Sequence, residues 1–239
     1  MSPGDWIKLD LHIHTLDDTK DALDYSAHQL LERAKLLGIE VLAITLHDSV
    51  FARREVFDDA RAMGVLLIPA AEMRLHGADI VVLNVTPEEA ATLHDFDDVR
   101  RLRAARGDSI FVFAPHPFYI LGGSIGGERL EANIDCFDAI EICHFHKGIF
   151  DRNRGAREIA ARFGLPLLAT SDAHQLSAFG RHYTSIPRPP ELTTESVFAG
   201  LRSGAGRLTS PPCSLVDLVS ILYFHFVLHP LRKRTRRNS

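Results

Sequence analysis

The sequence predicts an α/β fold in which parallel strands alternate with helices and close into a barrel. Two observations carry this expectation. Seven apolar runs of strand length, near 7–14, 41–46, 65–72, 79–85, 110–115, 137–144 and 165–171, are separated for the most part by segments with helical spacing. Histidines and acids collect at the C-terminal ends of these runs, the rim of a parallel barrel where loops build a site.

The first run sits in "LDLHIHTLDDTKD" (9–21). Strand alternation is expected to place His12 and His14 on one face and Leu11 and Ile13 on the other. The loop that follows carries Asp17, Asp18 and Asp21. The next segment, 26–38, puts Leu30, Leu31, Ala34 and Leu37 on one helical face, with Ser26 as N-cap and Gly38 as C-cap. Segments 56–64, 97–107 and 152–164 repeat this pattern, each closing on glycine. The run at 79–85 follows "LHGA" with too little room for a helix, so a local hairpin is expected there. "IPRPPELTTESV" (186–197) reads as a proline-marked turn into a last core helix near 193–203.

Composition bounds the function. The chain has 239 residues, 46% hydrophobic and 24% charged, enough for one large domain with a filled core. The net charge of −4 conceals an asymmetry: Arg232, Lys233, Arg234, Arg236 and Arg237 crowd the C-terminus, leaving the body near −9. So acidic a body argues against binding nucleic acid through diffuse charge. Cys136, Cys143 and Cys213 have unrelated spacings and form neither a disulfide framework nor a CxxC knuckle; they read as buried thiols in a reducing compartment. The N-terminus has no signal pattern, and no run reaches the ~18–20 apolar residues of a spanning helix. The expected location is cytoplasmic.

The chemistry collects at the strand ends. After His12 and His14, the second run ends in His47 and Asp48, the third in Glu72, the fifth in His116, and the last leads into Asp172 and His174. Imidazole and carboxylate without thiolate suit Zn, Mn or Fe.

The ordered set of HxH-T, T-x-H, a lone Glu, HP and SDAH resembles the polymerase and histidinol phosphatase (PHP) superfamily, from about Lys8 to His174. The resemblance implies a distorted (β/α)7 TIM-like barrel holding two or three divalent ions (Zn, Mn or Fe). It also implies hydrolysis of phosphate esters by metal-activated water. Carried over by position, His12, His14, Glu72 and Asp172 hold a first ion. Glu72 bridges to a second ion on His116, and His47 and His174 hold a third with an acid of the following loop, Asp18 before Asp21. Glu72 and Asp172 are the catalytic candidates. His144, at another strand end, is a further candidate ligand, ahead of His146. Arg181 and His182 are candidate substrate contacts, and the glycine-rich loop 118–131 is a candidate lid.

Two positions depart from the family pattern. Leu46 stands where an acid is usual before His47. The stretch "RLHGADIVVLN" leaves Asp79 or His76 where many members have a histidine. A small phosphorylated metabolite or nucleotide is the expected substrate, with nucleic acid entering only as substrate. The alternatives are a polynucleotide exonuclease, an amidohydrolase-type C–N hydrolase and a degenerate metal-binding scaffold.

Residues 1–209 form the expected barrel domain and 210–239 an added apolar helix with a basic end. Leu215, Leu218, Val219, Leu222 and Phe226 share one face of that helix. It is expected to dock on the barrel, with peripheral membrane contact or self-association through 213–237 as the functional readings.

Overall fold

A computed structural model describes residues 5–119, 122–143, 146, 151, 153–214, 223 and 232. In chain order the strands are β1 (Trp6–Ile13), β2 (Val41–His47), β3 (Leu66–Leu75), β4 (Ala78–Leu83), β5 (Phe111–Ala114), β6 (Ala139–Ile142), β7 (Leu167–Ala169), β8 (Tyr183–Pro187) and β9 (Arg207–Thr209). The helices are α1 (Ala27–Leu37), α2 (Arg54–Ala62), α3 (Pro87–Ala90), α4 (Phe96–Arg106), α5 (Gly127–Ala132), α6 (Asn153–Phe163) and α7 (Thr194–Arg202). One sheet runs β7-β6-β5-β4-β3-β2-β1-β8-β9.

The α/β expectation holds, and the sheet proves to be mixed rather than parallel. β4 is antiparallel to both β3 and β5, and β8 is antiparallel to β1. The cause at β4 is a two-residue turn. His76 (φ +48) and Gly77 (φ +84) both adopt positive φ, the requirement of a type I′ hairpin, so β3 folds straight back. The helices follow their caps. Ser26 Oγ accepts from Gln29 N while Gln29 Oε1 accepts from Ser26 N, and Gly38 closes α1 in the left-handed region. The strands β8 and β9 had no counterpart among the apolar runs, because β8 alternates between half-exposed and buried residues and β9 is three residues long.

One cluster of buried side chains draws on eight strands at once, as only the inside of a closing sheet permits. It includes Leu9, Val41, Ile68, Val81, Phe111, Ala139, Leu168 and Ile186. Val197, Phe198 and Leu201 of α7 join it and plug the end where the strands begin. Two outer clusters pack the other face of the sheet against α1 and α2, and against α4, α5 and α6. The architecture is a nearly closed, barrel-like sheet with helices outside.

The phase of β1 differs from simple alternation. Ile7, Leu9 and Leu11 all face the interior, yet Ile13 packs outside with α1 and α2. Asp10 pairs with Leu42 and Ile13 with Ile44, so β1 carries one residue more than β2 between these points. This bulge turns His12 and then His14 inward directly after Leu11. Leu11 and Ile13 therefore do not share a face.

The ladder does not continue across the seam between β7 and β8. Thr184 Oγ1 accepts from Ala169 N at 2.9 Å and donates to Ala169 O at 2.9 Å. Asp10 Oδ1 accepts from Ser171 N, and His14 N donates to Ala173 O. Side chains thus close what three-residue β7 is too short to pair. Among the described residues no helix is long and apolar enough to cross a membrane. The expected helix at 213–237 lies almost wholly outside the described residues. Thr184→Val removes both hydrogen bonds to the buried backbone of Ala169 and should destabilise the fold by about 1–3 kcal/mol, read as a lower midpoint in urea unfolding.

Candidate metal centre

Several strands deliver members of the site from their inward faces or from the residues just beyond their ends. The bulge brings His12 and His14 off β1. His47 ends β2 in register with Glu72, so the two stand side by side on neighbouring strands. Glu72 lies within β3 rather than at its end, because that strand runs on to Leu75 before the hairpin. His116 follows β5, and Asp172 and His174 follow β7. His116 (φ +29), Asp172 (φ +44) and Asp48 (φ +50) all hold positive φ, a strained backbone for such residues.

These side chains form one connected set, in which His12, His14, Glu72 and His116 are buried and His47, Asp172 and His174 are partly exposed. Glu72 Oε2 lies 3.5 Å from His12 Nε2, 3.4 Å from His14 Nε2 and 3.2 Å from His47 Nε2, and its Oε1 is 3.4 Å from His116 Nε2. Asp172 Oδ1 lies 3.6 Å from His12 Nε2 and 3.3 Å from His14 Nε2. Four overlapping groups have ligand atoms within 4.8 Å of one another: His12, His14 and Glu72; His12, His116 and Asp172; Glu72, Asp79 and His116; and His14, His47 and His174. The Nε2 atoms of His12 and His14 and the Nδ1 of His116 are buried without a hydrogen-bond partner. Orphaned nitrogens among carboxylates fit a divalent cation.

Behind the rings stand the carboxylates that aim them. Glu141 Oε2 accepts from His12 Nδ1 at 3.1 Å and from His116 N at 3.3 Å, and Thr170 Oγ1 donates to Glu141 Oε1. Asp18 Oδ2 is 2.7 Å from His47 Nδ1 and 3.4 Å from His14 Nδ1, and accepts from His47 N. Its Oδ1 accepts from the backbone of Lys20 and Asp21. Asp21 pairs instead with His174 Nε2 at 3.0 Å. Such acid–imidazole contacts fix the tautomer and the direction of the other nitrogen.

The electrostatics follow. Burial would raise the Glu72 carboxyl, but His12, His116 and His14 hold it well below the usual range. Burial likewise works against Asp172, and His12 and His174 keep it low. Burial lowers His116, yet Glu72 and Asp172 bring it up to about 9. His174 also rises to about 9, against burial, through Asp172 and Asp21.

The remaining expectations fall out as follows. Asp79 joins Glu72 and His116, whereas His76 is exposed on the hairpin turn. Arg181 is exposed; His182 is buried with its Nδ1 2.9 Å from Ser210 Oγ, and neither belongs to a ligand group. His146 Nε2 lies against the same Ser210 oxygens. His144 lies outside the described residues. Glu141 and Arg74 were not singled out from the sequence. The signal for Glu141 was an acid inside the buried strand "AIEI", and for Arg74 its place two residues beyond Glu72, on the same strand face.

Comparison with known proteins agrees with this geometry. Residues 150–205 match the PHP-associated family. A two-domain protein from Bacteroides vulgatus, described as containing a predicted PHP-like metal-dependent phosphoesterase, superposes with a TM-score of 0.63 at 18% identity. The chain has a PHP-type fold. The match covers 85% of this chain and 64% of that one, so the chain spans less than two thirds of this relative. PsfC from Pseudomonas syringae superposes with a TM-score of 0.65 at 16% identity over 97% of this chain and 99% of its own. The uncharacterized protein MJ1587 of Methanocaldococcus jannaschii is 24% identical over 147 residues, which is 58% of this chain and 84% of that protein. In this fold the residues at the ends of β1, β2, β5 and β7 and Glu72 within β3 meet in one site.

The raised histidines give this centre a pH signature. A divalent cation taking the nitrogens of His116 and His174 at neutral pH displaces their protons. Apparent affinity should therefore climb roughly tenfold per pH unit for each proton displaced, and the part owed to His116 and His174 should level off near about pH 9. Calorimetric titration with Mn²⁺ in buffers of different ionisation enthalpy reads the proton release directly.

Proposed function

We propose that this chain is a metal-dependent phosphoesterase acting on a small phosphorylated metabolite or nucleotide. The observation that carries the reading is Glu72, a buried carboxylate shared by two ligand groups that adjoin the other two. His12, His14, Glu72 and Asp172 would hold one cation, and Glu72, His116 and Asp79 a second. His14, His47 and His174 would hold a third, with Asp18, the acid expected as a ligand, standing behind His47 Nδ1 as its orienting partner instead. Two or three divalent ions of the Zn, Mn or Fe type, once bound, lower the pKa of a coordinated water and offset charge on the phosphoryl oxygens.

The chain's own groups do the rest. Glu72 fixes the spacing between ligand groups with its two oxygens. Asp172 Oδ1, close to both His12 and His14, is placed to hold a proton during attack. Glu141 and Asp18 keep the Nδ1 atoms of His12, His14 and His47 turned away from the substrate side. The interior cluster beneath the site excludes water from below. The acidic body favours a small substrate over long nucleic acid.

Elemental analysis of protein purified without chelator should find two or three equivalents of Zn, Mn or Fe. The same protein should hydrolyse p-nitrophenyl phosphate. The Asp172→Ala/His174→Ala variant should lose bound metal and at least ~10³-fold of the activity. Protein that stays metal-free after reconstitution would sink the proposal. Glu141→Gln keeps the shape of the side chain while weakening its hold on His12, and should lower metal affinity about 10- to 100-fold, measured by competition with a chromogenic chelator.

A further inference from the structure

A guanidinium stands one carboxylate away from the centre, and the proposed chemistry has not used it. Ala70, Glu72 and Arg74 alternate onto the inner face of β3, while Ala71, Met73 and Leu75 pack outside. Arg74 therefore projects on the same side as Glu72, one pleat nearer the mouth. Its partner is Asp79, directly opposite across the hairpin. Arg74 Nε donates to Asp79 Oδ1 and Nη2 to Asp79 Oδ2 at 2.8 Å, a two-pronged pair that fixes the plane of the guanidinium. Asp79 itself offers a ligand atom within 4.8 Å of those of Glu72 and His116. One end of the arginine is thus tied to the centre. The other end is open: the side chain is 47% exposed, and Nη1 has no partner among the described residues.

The loop after β5 is built around this pair. Asp79 N donates to Gly123 O at 2.7 Å. A Cβ on Gly123, which holds φ +77, would stand 1.7 Å from Asp79 Oδ2 and 3.0 Å from Arg74 Nη2. Glycine lets the backbone lie directly on the pair, so the loop clamps Asp79 and Arg74 from above while leaving Nη1 free. Asp48 braces the other side: its Oδ1 accepts from Arg74 N at 2.7 Å and its Oδ2 pairs with Lys20. An exposed arginine with no task would not need an acid, a glycine and a backbone contact to hold its plane.

We propose that Arg74, oriented by Asp79 and Gly123, binds a non-bridging oxygen of the substrate phosphate and selects phosphomonoester dianions over phosphodiesters. This rests on the phosphoesterase reading and names the substrate class. A monoester near neutral pH presents three unesterified oxygens and close to two charges, a diester two oxygens and one charge. The additional oxygen is the one that the free Nη1 end of a planar, always-charged guanidinium recognises, its Nε and Nη2 being held by Asp79.

The test uses Mn²⁺-loaded full-length protein and two readouts, calorimetric binding of inorganic phosphate and kcat/KM for p-nitrophenyl phosphate beside bis(p-nitrophenyl) phosphate. Arg74→Gln should weaken phosphate binding and monoester turnover roughly 10- to 100-fold, the loss expected for one charge-assisted hydrogen bond. The diester should lose less than the monoester, so that the ratio of the two kcat/KM values falls by about tenfold or more. Metal content measured on each variant separates this from any loss of the cation that Asp79 would hold. Arg74→Lys retains the charge without the fork and should fall between, and it serves should the glutamine variant fold poorly. Unchanged phosphate affinity in Arg74→Gln, or equal losses on both esters, overturns the assignment. Phosphate binding that depends on Arg74 in a wild type that cleaves neither ester would instead remove the hydrolytic reading, and the substrate selection with it, and keep only the contact between Arg74 and a phosphate oxygen.

Discussion

A carboxylate buried to 3% exposure must be neutralised where it stands, and Glu72 imposes that condition on everything around it. An unpaired charge at such depth costs several kcal/mol. Four imidazoles answer it, from β1, β2 and the turn after β5, all within 3.2–3.5 Å. Bringing them together requires distortions elsewhere. Asp48, His116 and Asp172 each accept a backbone conformation worth about 1–3 kcal/mol of strain, and all three sit where a strand gives way to the site. The surroundings hold them there: Asp48 N donates to Glu72 O, and Tyr119 N to His116 O.

The bulge in β1 and the seam at β8 are two consequences of one demand. To follow three inward apolar residues with two inward histidines, β1 must gain a residue over β2, and its ladder slips at that point. Beyond the slip, His14 no longer pairs as a strand residue and bonds instead to Ala173, which sets Asp172 and His174 beside it. Asp10, one residue before the bulge, reaches Ser171 in the same segment. Tyr25 caps the arrangement by donating to Ala173 O at 2.6 Å. The irregular end of β1 is therefore what joins the first and last motifs in space, and the closing side chains at Thr184 finish the barrel below it.

Much of this was legible in the sequence, and the misses share a cause. The runs at 41–46, 110–115 and 165–171 announce themselves because strands buried on both faces are continuously apolar. Ser26 and Gly38 mark the ends of α1 because capping chemistry is local. The strand ends with His47, His116 and Asp172 could be read from position alone. The hairpin into β4 could be read too, because "LHGA" leaves no room for a crossover helix. The antiparallel pairing of β8 with β1 could not, because no local signal sets it. The phase of His12 could not either, since a bulge is a relation between two strands. Glu141 and Arg74 went unremarked because their roles appear only through partners 129 and 5 residues away, His12 and Asp79.

The two departures from the family pattern have different physical weight. Leu46 precedes His47 on the strand and so points to the other face, where it is buried with α1 and α2. An acid there would lie in an apolar layer, not beside the ring. His47 takes its orienting carboxylate from Asp18 instead, through both its Nδ1 and its backbone N. The substitution at Leu46 removes nothing from the centre. Asp79 is different, because it exchanges a neutral donor for a second acid beside Glu72. Burial and the Glu72 charge push its carboxyl upward while Arg74 draws it down. Two carboxylates at that distance need a cation between or beside them, and Arg74 supplies one permanently. The exchange at Asp79 thus carries its own compensation two residues beyond Glu72, and the chain keeps the charge balance of its barrel mouth with a different set of residues.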